Sequence, residues 1–324
     1  MLLGQVFERF VQDSPVSFMF RGLLEKVLCS QTLDELFESS AKTQYTRELL
    51  FSTVVDLMSV VVCGIRPSVH AAYQASAEEI GVSVTSVYNK LNGIEPNISA
   101  ELVRETASLM EATIRHLKAN LPDWLPGYRV KILDGNAIAA TDHRLSELRQ
   151  IGSAPLPGKS LVVLDPTLML AVDVFPCEDG HAQERSLLAD VLPSVEAGDV
   201  WIADRNFCTT KFLLGIVAQQ GNFIIRQHQC LAWHPISDFC PVGRIDSGQV
   251  FEQTILLSDN DGQLLRVRRV KVLLQQATRD GDWEIFILTN LPSEVASALL
   301  IAQLYRVSVE ARDFVSSTHR DAVL

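Results

Sequence analysis

No two cysteines in this chain stand in a C-x-x-C arrangement: Cys29, Cys63, Cys177, Cys208, Cys230 and Cys240 are scattered singly. That spacing signals neither a thiolate zinc site nor a disulfide framework, and it suits a reducing compartment. Basic residues are also in short supply, 28 Lys and Arg against 39 Asp and Glu, for a formal charge of −11. An acidic balance of this size excludes a protein that coats nucleic acid indiscriminately, so any contact with DNA must be local. Long apolar runs are missing as well. The best, Phe51 to Cys63, is interrupted by Asp56 and is too short to span a bilayer, and the first residues lack the pattern of a secretory leader. These absences lead to the expectation of a cytoplasmic protein with no membrane association. What is present is a 47% apolar chain of 324 residues, enough for two or three packed units.

Two short apolar runs end in aspartate: Val130-Lys131-Ile132-Leu133-Asp134 and Val200-Trp201-Ile202-Ala203-Asp204. Each has the form of a core strand whose exit holds a carboxylate at the sheet edge. Two such groups can share a divalent metal. Asp also follows strands simply because it favours turns, and for either position alone that reading stands beside the functional one.

From Val6 to about Asn120 the apolar residues recur at helical spacing, which predicts an all-helical region over residues 1–120. Within it, Ser76 to Leu91 has a short helix, a turn at Gly81, a cap at Ser83 and a second helix presenting Thr85, Ser86, Asn89 and Lys90. The arrangement resembles a helix-turn-helix, with Asn89 and Lys90 as candidate DNA contacts. The same glycine and serine would serve any helix corner, and Glu78, Glu79 and Glu95 surround the segment with negative charge.

Pro122, Trp124, Pro126 and Gly127 break the pattern and open a second region, 121–228. Strands are expected at 129–133, 160–164 and 169–174, then a helix at 182–192, a strand at 200–203, a helix at 211–219 and a strand at 223–226. This order implies α/β architecture, a mixed sheet with helices on its faces. Ala140 to Gly158 reads as a long connection. Residues 229–290 are strand-rich, with hairpin turns at Asp259-Asn260-Asp261-Gly262 and Asp280-Gly281-Asp282. One of these strands carries Arg266, Arg268, Arg269 and Lys271, either a solvated face or a surface for phosphates. A helical pattern resumes at Ser293 to Arg306.

In order and spacing, these parts resemble the bacterial insertion-sequence transposases of the Asp-Asp-Glu class, insertion-sequence-four group. The resemblance rests on Ile132-Leu133-Asp134-Gly135-Asn136, Trp201-Ile202-Ala203-Asp204-Arg205-Asn206-Phe207 and Ile301-Ala302-Gln303-Leu304-Tyr305-Arg306. It implies a ribonuclease-H-like core with a helical N-terminal domain and a β-rich insertion. It further implies Asp134 and Asp204 as catalytic ligands of Mg²⁺ or Mn²⁺, with hydrolysis at an element end followed by strand transfer into target DNA. Carboxylates suit that role, being hard oxygen ligands for metals that act on a phosphodiester. Arg205, Tyr305 and Arg306 join the DNA-binding candidates, and a homodimer on paired DNA ends is the implied assembly.

The family's third motif, Y-x-x-R-x-x-x-E, begins at Tyr305 but meets Ser308 and Arg312 where Arg and Glu belong. Glu310 is offset by two residues, about 200° around a helix. The family's long C-terminal helical part is also lacking after 324, so residues 291–324 read as a truncated last helix with an aberrant tail. Codons can be chosen for residues 308–322 that, read one nucleotide later, give R-W-K-L-E-T-L-F-Q-A-L-T-E-T-L and restore both residues. A slip near codon 307 would account for the departure, and the resulting product is then expected to be inactive; the alternative is a programmed slip during translation, with the longer product active and this chain a regulator that binds DNA without cutting it. Two rivals stand beside this reading: a metal-dependent nuclease using Asp165 or Asp173 as third ligand, and a helix-turn-helix DNA-binding regulator with an inert second half. His143 and His181 are further candidates for approaching DNA or a metal.

Overall fold

The structure is a computed structural model and describes residues 14–44, 48–138, 158–177, 183–259, 262–278 and 280–321. The chain forms two compact units, Met1–Ala119 with His319–Leu324, and Asn120–Thr318. The expected connection at 140–158, apart from its last residue, and both His143 and His181 lie outside the described residues.

In the first unit every regular element among the described residues is a helix: α1 Pro15–Val27, α2 Ser30–Ser40, α3 Phe51–Val62, α4 Val69–Ile80, α5 Val84–Gly93 and α6 Pro96–His116. Leu33, Phe37, Phe51 and Ile98 form one small core, with the Phe37 and Phe51 rings stacked 5.1 Å apart. Leu49, Val54, Leu57, Ala72 and Val87 form another. The corner between α4 and α5 is built as its sequence suggests. Gly81 ends α4 in the left-handed conformation at φ 69°, and the Ser83 hydroxyl accepts from the Ser86 amide to start α5. The Tyr73 hydroxyl donates to the Val82 carbonyl at 2.7 Å and fixes the turn between them.

The second unit is built on one mixed, mostly antiparallel sheet. Its strands are β1 Arg129–Ile138, β2 Gly158–Asp165, β3 Leu170–Cys177, β4 Asp199–Ala203, β5 Asn222–Arg226, β6 Trp233–Pro235, β7 Cys240–Ile245, β8 Gly248–Ser258, β9 Leu264–Leu274 and β10 Glu284–Thr289. They lie in the order β3-β2-β1-β4-β5-β10-β9-β8-β6, with β7 also on β8. β1, β4 and β5 are mutually parallel, while β10 returns antiparallel against β5. The strand-rich stretch 229–290 is thus continuous with the sheet that carries the aspartates.

Alternation along the strands divides the core. Leu133, Trp201, Ala203, Phe223 and Ile225 pack on one face against Phe212, Leu213 and Ile216 of α8, Thr210–Ala218. Val130, Ile132, Val200, Ile202 and Ile224 pack on the other against Ile301, Ala302, Leu304 and Tyr305 of α9, Ala298–Asp321. Each fully buried aromatic such as Trp201 or Phe223 contributes about 2–3 kcal/mol.

Three elements differ from expectation. The first strand, expected at 129–133 with Asp134 at its exit, runs on to Ile138, because β2 pairs with it past the point where β4 stops. The helix expected at 182–192 is a broken series, a 3-10 turn Glu184–Leu187, the single α-turn α7 Leu188–Val191 and a second 3-10 turn Leu192–Ser194. Pro193 lacks an amide to continue the α pattern. The last helix begins at Ala298 instead of Ser293, where the Ser297 hydroxyl accepts from the Leu300 amide, and it continues past Arg306 to Asp321.

Candidate functional site

The register of the two parallel strands brings the aspartates together. Ile132 lies opposite Ile202 and Leu133 opposite Ala203, so Asp134 and Asp204 occupy the next step, where β4 ends and β1 runs on alongside β2 to Ile138, on the face covered by α9. Neighbouring strands run about 5 Å apart. Asp204 is already oriented: its Oδ1 accepts from the Asn206 amide at 2.7 Å and caps the 3-10 turn Arg205–Phe207. Burial pushes the Asp134 carboxyl up to about 6; the Arg312 guanidinium pulls against that shift, and the carboxylates of Asp204 and Glu184 add to it.

Position 312, where the third motif of the resemblance places glutamate, does face the aspartates. Its occupant is a cation. Arg312 is 9% exposed, its Nε donates to the Ser308 carbonyl at 3.2 Å, and its guanidinium carbon lies 5.7 Å from the centre of the Tyr305 ring. Tyr305, Ser308 and Arg312 share one side of α9, as three- and four-residue spacing requires. Burial raises the Tyr305 hydroxyl above its ordinary range. Ser308 is fully buried and donates back to the Tyr305 carbonyl at 2.7 Å.

Three participants are not legible in the sequence. Glu184 lies against Gly135 from the broken segment on the opposite face, and burial together with the charge of Asp204 raises its carboxyl. Arg226 ends β5 beside Asp204, because Ala203 pairs with Ile225. Arg312 stands out in the sequence only as a departure from a motif. Among the described residues no three His, Cys, Asp or Glu side chains form a ready cage for a metal ion. Asp134 and Asp204 bring two carboxylates to neighbouring strands, and the Arg312 side chain adds positive charge that acts on Asp134.

The two alternative third ligands are otherwise engaged. Asp165 accepts from the Thr167 and Leu168 amides and holds the β2–β3 turn. Asp173 is buried and accepts from its own neighbour, the Val174 amide.

The basic strand β9 divides its cations between uses. Arg269 is buried, with Phe286 3.9 Å and Trp233 4.2 Å from its guanidinium carbon, and donates to Gln227 at 2.6 Å and Gln253 at 2.8 Å. Burial lowers it to about 10. Arg268 pairs with Glu252 and donates to the Leu291 and Ala296 carbonyls, both at 2.8 Å. Lys271 lies over the Phe239 and Phe251 rings, 3.6 Å from Glu284. Arg266 alone of the four is exposed. Arg306 lies on the surface between Asp246 and Glu310.

In the first unit Asn89 is exposed on α5 together with Thr85, Ser86 and Tyr88. Lys90 turns inward, its ammonium 3.8 Å from the centre of the Phe37 ring, and burial lowers its proton affinity. Glu95 turns its carboxylate to the Lys42 and Thr43 amides. No helix among the described residues is long and apolar enough to cross a membrane. No family model matches the chain, and none of the curated proteins compared with it matches.

Proposed function

We propose that the second unit is a ribonuclease-H-like core of a DNA transposase, built for metal-dependent phosphodiester hydrolysis and strand transfer, and inactive in this form. The observation that carries the reading is the convergence of Asp134, Asp204 and position 312 on one face, where the pairing of β1 with β4 stops. Three antiparallel strands followed by two that run parallel with the first agree with that core, and the helical first unit agrees with a DNA-binding N-terminal domain. Asp134 and Asp204 would hold Mg²⁺ or Mn²⁺, which when bound supplies Lewis-acid activation of the attacking oxygen and stabilises the leaving one. Asp204 is held in place by the Asn206 amide, and Asp134 is partly buried, so a bound cation would offset the cost of its charge. Arg312 reverses the charge where the third carboxylate belongs, which removes a ligand and repels a metal.

The test is gain of function. Supercoiled plasmid is incubated with Mg²⁺ and either the natural chain or Ser308→Arg with Arg312→Glu. The natural chain should leave the plasmid intact, and the double variant should nick it in a manner abolished by Asp134→Ala or Asp204→Ala. Robust Mg²⁺-dependent cleavage by the natural chain would overturn the claim of inactivity. With paired element ends as substrate, a transposase produces joined products and a simple nuclease does not.

A second reading, a DNA-binding regulator, is favoured by one observation: α4 and α5 meet at a fixed three-residue corner with Thr85, Ser86 and Asn89 exposed. On that reading Asn89→Ala weakens DNA binding, while Asp134→Ala and Asp204→Ala leave it unchanged.

A further inference from the structure

Immediately beside Asp204 the chain holds two guanidinium groups on a single carboxylate oxygen. Arg205 follows Asp204 in sequence; its Nη1 lies 3.3 Å from Asp282 Oδ2 and its Nη2 lies 2.9 Å from Asp280 Oδ2. Arg226, next to Asp204 by strand register, donates from Nη2 to the same Asp282 oxygen at 2.5 Å. Both carboxylates belong to the turn between β9 and β10, which Gly281 reverses at φ 85° and the Thr278 hydroxyl closes by accepting from the Asp282 amide. An oxygen gripped by two guanidinium forks is in the position that a phosphate oxygen takes between arginines. The turn does not require these pairs for its own geometry, and Asp280 and Asp282 remain partly exposed, so a polyanion can displace them.

We propose that Arg205 and Arg226 form a clamp for a phosphodiester of a DNA strand laid along the two aspartates, and that Asp282, assisted by Asp280, occupies the clamp as an internal stand-in for phosphate. The β9–β10 turn and the DNA backbone then compete for the same two arginines. The choice of ligand rests on the phosphodiester reading above, but the clamp requires neither metal nor catalysis.

The test uses the full chain and a short fluorescein-labelled duplex, with binding read by fluorescence anisotropy in EDTA over a series of salt concentrations. Asp280→Asn with Asp282→Asn should bind about tenfold tighter, with the slope of log K against log salt steeper by about one to two units, one for each further phosphate neutralised. Adding Arg226→Gln to that variant should return both quantities toward those of the natural chain. A charge-matched control, Asp123→Asn with Asp190→Asn, removes two exposed carboxylates elsewhere on this unit. A gain of the same size in the control would overturn the clamp, and so would unchanged affinity and slope in a folded Asp280/Asp282 variant. If the double variant does not fold, Asp280→Asn alone releases one Arg205 bond and should steepen the slope by about one unit; no change would count against the proposal. Tighter binding without any nicking by the Ser308/Arg312 double variant supports the clamp and counts against the catalytic reading alone.

Discussion

The Glu184 carboxylate lies directly over Gly135, with Oε1 2.5 Å and Oε2 2.9 Å from where a Cβ on residue 135 would stand. Only the absence of a side chain lets this third negative group approach β1 beside Asp134. Gly135→Ala should therefore displace Glu184, the far end of a flexible side chain, at a stability cost below about 1 kcal/mol. The NMR-detected titration of Asp134 would then begin at lower pH, because one like charge has moved away; an unchanged titration would show that Glu184 does not act on it.

Asp134 gives the chain a pH dependence of defined sign. Its carboxyl is raised in the folded state to about 6 from an ordinary 3.8, so the folded form binds its proton more tightly than the unfolded form does. This contribution favours folding at low pH and is lost as pH rises from about 4 through 6, an effect of at most about 3 kcal/mol. Asp134→Asn should raise the urea midpoint at about pH 7.5 and change it little at about pH 4.5. A variant less stable than the natural chain at both pH values would show that the Arg312 attraction outweighs burial.

Arg269 should behave as a core residue. Arg269→Ala empties the space between Trp233 and Phe286 and leaves Gln227 and Gln253 without their donor, for a loss of about 3 kcal/mol in chemical denaturation. Arg269→Lys should recover little of that, since an ammonium has no flat face to lie between rings. Arg266→Ala, on the same strand but exposed, should change stability by less than about 0.5 kcal/mol.

Asp199 is fully buried at the start of β4, with Arg129 Nε 3.0 Å from Oδ1, Lys131 Nζ 2.9 Å from Oδ2 and the Glu196 amide donating to Oδ2 at 2.9 Å. Asp199→Asn leaves Lys131 without its counter-charge and should cost about 3 kcal/mol. Thermal melts of the two proteins would settle it, and a loss below about 1 kcal/mol would mean that water replaces the lost charge.

Gly248 opens β8 so close to β9 that a Cβ would stand 1.9 Å from the Leu273 carbonyl oxygen. Gly248→Ala should cost about 2 kcal/mol or more, because backbone, and not a movable side chain, is in the way. Hydrogen exchange should show the loss concentrated in β8 and β9.

The strands are legible in the sequence wherever a local pattern determines them. The short apolar runs from Val130 to Leu133 and from Val200 to Ala203 locate β1 and β4, and the aspartates that follow them mark the candidate carboxylates, although β1 continues past Asp134 to Ile138. What escapes is set by partners far along the chain. Arg205 meets Asp280 seventy-five residues later, and Arg269 meets Gln227 forty-two residues earlier. A cation on a strand reads as solvated until its cross-strand and facing neighbours are known, and the aromatic rings around Arg269 come from three other segments. Glu184 escapes for a different reason: the spacing over 182–192 predicts one regular helix, whereas a 3-10 turn gives its first residue another direction.

The pairing of β5 with β10 has a consequence for biosynthesis. β5 ends at Arg226 and its antiparallel neighbour begins at Glu284, so a nascent chain carries β5 as an open edge until the residues up to Thr289 have been made. That edge, Asn222 to Arg226, is flanked by buried apolar residues and is a template for pairing with other chains. Ribosome stalling or cleavage between Arg226 and Glu284 would therefore release an aggregation-prone fragment, although both aspartates are already in place on it.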